Sequence, residues 1–226
     1  MSVPLRLVMF DMDGTLIDSQ DFILAAMRRA FGDLGVALPS RAQVLEIVGL
    51  SLDEAFARLA PEMDAPARAQ AVARYRNAAL TMRADGAENA PLYPGARATL
   101  NALHGVDELL LGVATGKARR GLDHACAAHD LDHFFVTRQT ADRHPSKPHP
   151  SMLLAALEET GVDPGAAVMV GDTTYDIDMG RAAGFRTIGV TWGYHDAQAL
   201  RGAGADLLVD DFAALPDALQ QIWGQI

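Results

Sequence analysis

The chain has 226 residues, half of them hydrophobic, a formal net charge of −10 and one cysteine. This apolar content suffices for one large domain, or a core domain plus a smaller one, and excludes wholesale disorder. The acidic balance argues against nonspecific nucleic-acid binding and against anionic membranes; Cys126 has no partner for an internal disulfide and fits a reducing compartment.

The first predicted element is a buried strand over residues 5–10. It stops at Asp11 and Asp13, and Gly14 lets the chain turn at once. Two carboxylates one residue apart at the carboxyl end of a strand can reach a single cation or a reacting phosphorus. Asp and Gly also dominate ordinary turns, so this segment alone fits both readings equally. The apolar run is too short for a signal-peptide core or a bilayer span, and the expected location is the cytoplasm.

Residues 21–90 read as a small all-helical module. Ile23, Met27, Ala30 or Phe31, and Leu34 recur at helical spacing, as do Leu52, Ala55, Phe56 and Leu59. A third helical stretch, 65–83, is rich in Ala and Arg, and Ser40 and Ser51 stand where N-caps belong. From Pro94 onward, helices alternate with short apolar runs at 109–114, 134–137, 167–171, 186–190 and 206–209. That alternation implies a parallel sheet with right-handed crossovers. The expected architecture is an α/β core, residues 1–17 and 91–226, with an all-helical cap, 18–90, inserted after the first strand.

Several later strands also end in chemistry. The run 109–114 leads into Thr115-Gly116-Lys117, where a hydroxyl and free N–H groups suit a phosphate oxygen, although on this segment alone an N-capping Thr is the favoured reading. Residues 112–118 resemble a nucleotide-binding P-loop but are one residue short, and Ala118 replaces the magnesium-binding hydroxyl, so that reading is rejected. Ser146-Lys147-Pro148-His149-Pro150 holds a lysine between stiffening prolines, although a solvated loop lysine is the usual case. The strand 167–171 meets Asp172 and then Asp176, which could instead cap the next helix. Jointly, Asp11, Asp13, Asp172 and Asp176 would converge at one sheet edge. Four carboxylates there repel unless a cation or shared protons neutralise them. All-oxygen ligation points to a hard cation, Mg²⁺, and with Thr115 and Lys147 beside it the set describes phosphoryl chemistry.

With four motifs in this order, Asp11-Met-Asp13-Gly-Thr15, Ala114-Thr115-Gly116, Lys147-Pro148 and Gly171-Asp172-Thr-Thr-Tyr-Asp176, the chain resembles the haloacid dehalogenase-like (HAD) hydrolases over nearly its whole length. The resemblance implies a doubly wound Rossmannoid core with a helical C1-type cap. It implies Asp11 as the nucleophile of an aspartyl-phosphate mechanism and Asp13 as general acid, then base. Asp11, the backbone carbonyl of Asp13, and Asp172 would hold Mg²⁺, with Asp176 acting directly or through water. Thr115 and the Gly116 amide would bind phosphoryl oxygens, and Lys147 would neutralise nucleophile and phosphoryl group. Tyr93-Pro94-Gly95, Ser146-Lys147-Pro148-His149-Pro150 and Gly193-Tyr194 resemble the phosphoglycolate phosphatase branch, which makes a small phosphorylated metabolite the expected partner and phosphoglycolate the first choice.

The same resemblance separates relatives. Dehalogenases lack the second acid, phosphonate hydrolases carry Ala there, and sugar phosphomutases usually carry Val where Thr15 stands. Phosphomutases also place basic residues in a cap loop that here reads Glu46-Ile47-Val48-Gly49, so small leaving groups are expected, with Arg41 or Arg58 as other routes for a cation. The alternatives are a sugar phosphomutase or pyrophosphatase of the same family and, from another class, a phosphate-sensing or phospho-accepting module without turnover. The histidines lack cysteine partners, which argues against zinc. Trp192 is expected to pack, Asp178 to be solvated, and Arg68, Arg74, Arg76 and Arg83 to form a solvent face from which one Arg could reach substrate. Hinges of a mobile cap are expected near 18–20 and 89–93. Natural substrate and oligomeric state are left open by the sequence.

Overall fold

The computed structural model describes residues 4–34, 36–85 and 90–224. Asn89, at the edge of one expected hinge, lies outside them. Its centre is a six-stranded, fully parallel sheet. In chain order the strands are β1 (Arg6–Phe10), β2 (Leu109–Thr115), β3 (Phe135–Thr140), β4 (Ala167–Gly171), β5 (Arg186–Val190) and β6 (Leu207–Val209), and in space they run β3-β2-β1-β4-β5-β6.

Alternation along β1 builds the layers. Val8 and Phe10 face a cluster with Leu100 of α5 (Ala96–His104), Leu122 of α6 (Arg119–Ala128) and Leu219 of α10 (Leu215–Trp223). Leu7 and Met9 face the opposite cluster, with Met152 and Leu153 of α7 (Ser151–Thr160) and Met179 of α8 (Thr174–Ala182). A strand covered on both faces needs apolar residues where it is buried, which is why β1 reads as an uninterrupted apolar run from Leu7 to Phe10 after the half-buried Arg6. The fold is the expected doubly wound α/β type. The third strand is longer than its apolar run: Arg138, Gln139 and Thr140 continue the pairing with β2. Gln139 is buried but satisfied, its amide donating to the Thr137 hydroxyl at 2.8 Å and its Oε1 lying 2.9 Å from His144 Nε2, so a polar residue does not end the strand.

Between β1 and α5 come four helices, α1 (Gln20–Gly32), α2 (Arg41–Glu46), α3 (Leu52–Leu59) and α4 (Ala65–Ala84). They share a core of their own that includes Ile23, Met27, Phe31, Val44, Phe56 and Val72, with Phe31 and Phe56 stacked at 5.6 Å. Ser40 caps α2 in a reciprocal box with Gln43, and Ser51 caps α3 through the Glu54 amide. Leu34 falls beyond the end of α1. The outgoing and returning chains run side by side: Ile17 bridges Leu92, and the Asp18 N–H donates to the Pro91 carbonyl at 2.9 Å. Among the described residues, no helix is long and apolar enough to cross a membrane.

Candidate active site

The strand order reverses direction between β1 and β4, and in open parallel sheets the crevice at such a switch point, outside the carboxyl ends, is where ligands bind. Asp11 follows β1, Asp172 follows β4, and Thr115 closes β2 on the other side of β1. Asp176 lies in the first turn of α8, and Lys147 arrives from the loop before α7.

Lys147 is no solvated loop residue. Its side chain is buried, with Nζ 3.0 Å from Asp11 Oδ1 and 2.6 Å from Asp176 Oδ1. The same Asp11 oxygen accepts from the Met12 N–H at 2.7 Å, while Asp11 Oδ2 is buried with no hydrogen-bond partner. Asp176 Oδ2 accepts from the Thr173 N–H at 3.1 Å and from the Thr173 hydroxyl at 2.7 Å, so this residue both caps α8 and faces the lysine. Asp172 accepts from the Thr15 hydroxyl at 2.7 Å and the Tyr194 N–H at 2.9 Å. Glycines make room for it: a Cβ on Gly14, whose φ is +84°, would stand 2.2 Å from Asp172 Oδ2, and one on Gly193 would stand 2.1 Å from the Asp172 Cβ.

Asp11, Asp172 and Asp176 each offer an oxygen, all within 4.8 Å of one another. The Asp13 side chain stands apart from this trio. It pairs with Lys117 Nζ at 2.8 Å and accepts from the Ser19 hydroxyl, which in turn lies 3.0 Å from the Tyr194 hydroxyl. Thr115 is not an N-cap, since Ala118 holds that position for α6; its hydroxyl accepts from the Lys117 N–H at 3.2 Å. Gly116 meets the helical insertion backbone to backbone: a Cβ there would lie 2.5 Å and 2.6 Å from the carbonyl oxygens of Gly49 and Leu50.

The electrostatics are unbalanced. Burial pushes the Asp11 carboxyl up to about 7, helped by Asp176 and Asp13 and opposed by Lys147. Burial, then the charges of Asp176 and Asp11, hold Asp172 well above the ordinary carboxylate range. Burial works against the Lys147 ammonium, yet Asp11 and Asp176 outweigh it and raise its pKa. One lysine cannot neutralise three buried carboxylates. An all-oxygen donor set of three buried carboxylates with one lysine between them fits a hard divalent cation such as Mg²⁺.

A stability prediction follows from these shifts. A carboxyl with a raised folded pKa binds its proton more tightly folded than unfolded, so its contribution is lost as pH rises through the folded value. Metal-free protein is therefore expected to melt lower at about pH 8.5 than at about pH 6.5, and MgCl₂ to raise the midpoint more at the higher pH. Equal midpoint shifts at both pH values, read by scanning calorimetry, would contradict the strained carboxylate trio.

Between the insertion and the core lies a cavity of ≈ 320 Å³, floored by Asp11, Asp13, Thr115, Gly116 and Lys117. Arg76 and Arg83 of α4 line it, so the face expected to be solvated is partly turned inward. Arg41 and Arg58 do not line it; they bond Gln20, Glu54 and Tyr175 instead. Trp192 packs as expected, 4.6 Å from Phe212, and its indole N–H donates to the Thr15 carbonyl at 3.0 Å. Asp178 is exposed. Sequence reasoning missed Ser19, Lys117 and Tyr194 as site residues. Lys117 sat directly behind the Thr-Gly turn, and Tyr194 stood in the Gly193-Tyr194 pair.

The family model described as haloacid dehalogenase-like hydrolase matches residues 8–190. The chain belongs to this hydrolase family. Among its HAD-like relatives, the "Probable phosphatase IndB" of Dickeya dadantii is 35% identical over 216 residues, covering 94% of this chain and 92% of the relative. A phosphoglycolate phosphatase of Vibrio cholerae is 31% identical over 219 residues, covering 93% and 95%. The crystal structure of a predicted phosphoglycolate phosphatase from Haemophilus somnus matches with a TM-score of 0.83 at 25% identity, covering 96% of this chain and 98% of that one. The HAD-like Rossmannoid core is thus shared along the whole catalytic sheet, and the carboxylate trio sits at its switch point.

Proposed function

We propose that the protein is a Mg²⁺-dependent phosphatase that hydrolyses a small phosphomonoester through an aspartyl-phosphate on Asp11. The observation that carries this reading is the unpartnered Oδ2 of Asp11, at a strand end, beside a buried lysine and two further carboxylates. Asp11 attacks phosphorus while Asp13 protonates the departing alkoxide; Asp13 then takes a proton from the water that opens the aspartyl-phosphate. Lys147 holds Asp11 by one oxygen, leaving the other to react, and Lys117 with Ser19 fixes Asp13 above it. The Thr115 hydroxyl and the Gly116 N–H take phosphoryl oxygens. Asp11, the Asp13 carbonyl, Asp172 and Asp176 would hold Mg²⁺, which supplies positive charge for the phosphoryl oxygens. The helices of residues 18–90 serve as a cap that excludes water over the intermediate.

The acidic switch-point site and the phosphatase relatives support this reading, phosphoglycolate included as a candidate. Retention of Asp13 favours turnover over phosphate sensing, because an acceptor without turnover has no leaving group to protonate. The proposed setting is the cytoplasm, in keeping with a chain whose one cysteine, Cys126, has no internal partner for a disulfide.

Release of inorganic phosphate from p-nitrophenyl phosphate is expected with Mg²⁺ and not with EDTA; no release under either condition overturns the proposal. Asp172→Ala should lose activity and the Mg²⁺-induced rise in melting temperature together, since a hard cation loses a direct ligand. An unchanged Mg²⁺ dependence in that variant would place the metal elsewhere.

A further inference from the structure

The cavity over Asp11 and Asp13 is larger and less polar than a two-carbon leaving group needs. Its ≈ 320 Å³ sits at the low end of pockets that enclose drug-sized ligands. Phe22 of α1 and Tyr75 and Leu80 of α4 give it apolar and aromatic walls. On α4, positions 76, 80 and 83 share one face by helical spacing, so Leu80 lies between two arginines. Arg83 is stacked over Phe22 at 5.2 Å. Arg76 reaches the lining from one side and Arg120, in the first turn of α6, from the other. Both are exposed at the mouth, and among the described residues neither has an ion-pair or hydrogen-bond partner.

The acids in this lining, Asp11 and Asp13, already face Lys147 and Lys117. In a chain of net charge −10, Arg76 and Arg120 thus put unpaired positive charge beside an apolar wall. We propose that the natural leaving group has an aromatic body, seated against Phe22, Tyr75 and Leu80, and a second anionic group, held at the mouth by Arg76 and Arg120. This inference rests on the phosphatase reading above and narrows its substrate class. It departs from the expectation of small leaving groups, with the cations absent from residues 46–49 supplied by α4 and α6 instead.

The test compares three alkyl phosphomonoesters with similar leaving alkoxides, 4-carboxybenzyl phosphate, its neutral 4-carbamoyl counterpart and phosphoglycolate. The carboxybenzyl ester should exceed phosphoglycolate in kcat/KM by about tenfold or more, the scale of a buried aromatic ring. It should exceed the carbamoyl ester by about five- to tenfold, the scale of one partly screened charge-assisted contact. In the Arg76→Ala/Arg120→Ala variant the carboxyl-to-carbamoyl ratio should fall to within about twofold of unity. The ratio is its own control, because a poorly folded variant loses both substrates alike. Phosphoglycolate turning over as fast as the carboxybenzyl ester, or a ratio that survives the double substitution, overturns the inference. Hydrolysis of p-nitrophenyl phosphate with both benzyl esters inert also overturns it while leaving the phosphatase reading standing. If p-nitrophenyl phosphate is inert as well, the phosphatase reading falls, and this inference with it.

Discussion

Asp11→Asn is expected to lower kcat by about 10⁴-fold or more, a barrier increase of roughly 5.5 kcal/mol. The substitution keeps shape and removes the nucleophile. An amide oxygen can still accept from the Met12 N–H, and Lys147 keeps Asp176 as its partner at 2.6 Å. The fold should therefore persist. Because burial already disfavours the Asp11 carboxylate, the metal-free variant should melt no lower than the parent protein at neutral pH. Phosphate release and calorimetry on the same preparation decide the matter. A folded Asp11→Asn protein that retains substantial turnover would show that another group attacks phosphorus.

Lys147→Met should produce the largest loss of stability. The side chain is close in length and apolar, but it leaves Asp11 and Asp176 facing each other without their shared cation. Breaking a buried pair from one side costs about 3–5 kcal/mol. For a chain of this size that corresponds to roughly 6–20 °C in melting temperature. The loss should shrink as pH falls, because a carboxyl that has lost its cation escapes the repulsion by taking up a proton. Mg²⁺ should recover part of it. Activity should drop by about 10²–10³-fold, as when a preorganised charge is removed from a developing anion. A variant as stable as the parent at alkaline pH without metal would mean that Lys147 does not hold the two carboxylates together.

Much of the fold was readable because each element carried its own signal. β1 and β4 are uninterrupted apolar runs ending in acids, and α2 and α3 announce themselves through Ser40 and Ser51. β3 was read short because Arg138 to Thr140 pair through backbone alone on an edge. Asp11, Asp172, Asp176 and Lys147 were legible as strand-end and loop residues, and the structure brings them to one place, with Asp13 and Thr115 lining the cavity beside Asp11. The partnership of Asp13 with Lys117 and Ser19 was not legible. Neither was the hydrogen bond from the Ser19 region to Tyr194, which spans 175 positions. Such contacts are made by the crossing of loops, for which local periodicity carries no trace. The inward turn of Arg76 and Arg83 was hidden for a similar reason: α4 has apolar and charged residues spread around its circumference, and packing against α1 and α3 decides which side faces the cavity.

The position of β1 also sets a timetable for folding. It is a central strand, yet its neighbours are distant in sequence: Arg6 pairs with Leu109, and Leu7 with Ala167. At about 5–20 residues per second of synthesis, β1 waits roughly 5–20 s before β2 has even been made. During that interval the helices of residues 20–84, whose contacts are local, can assemble, while Leu7-Val8-Met9-Phe10 has no sheet to join. Those four residues, fully buried at the end, are thus apolar surface left without its partner strands through that interval.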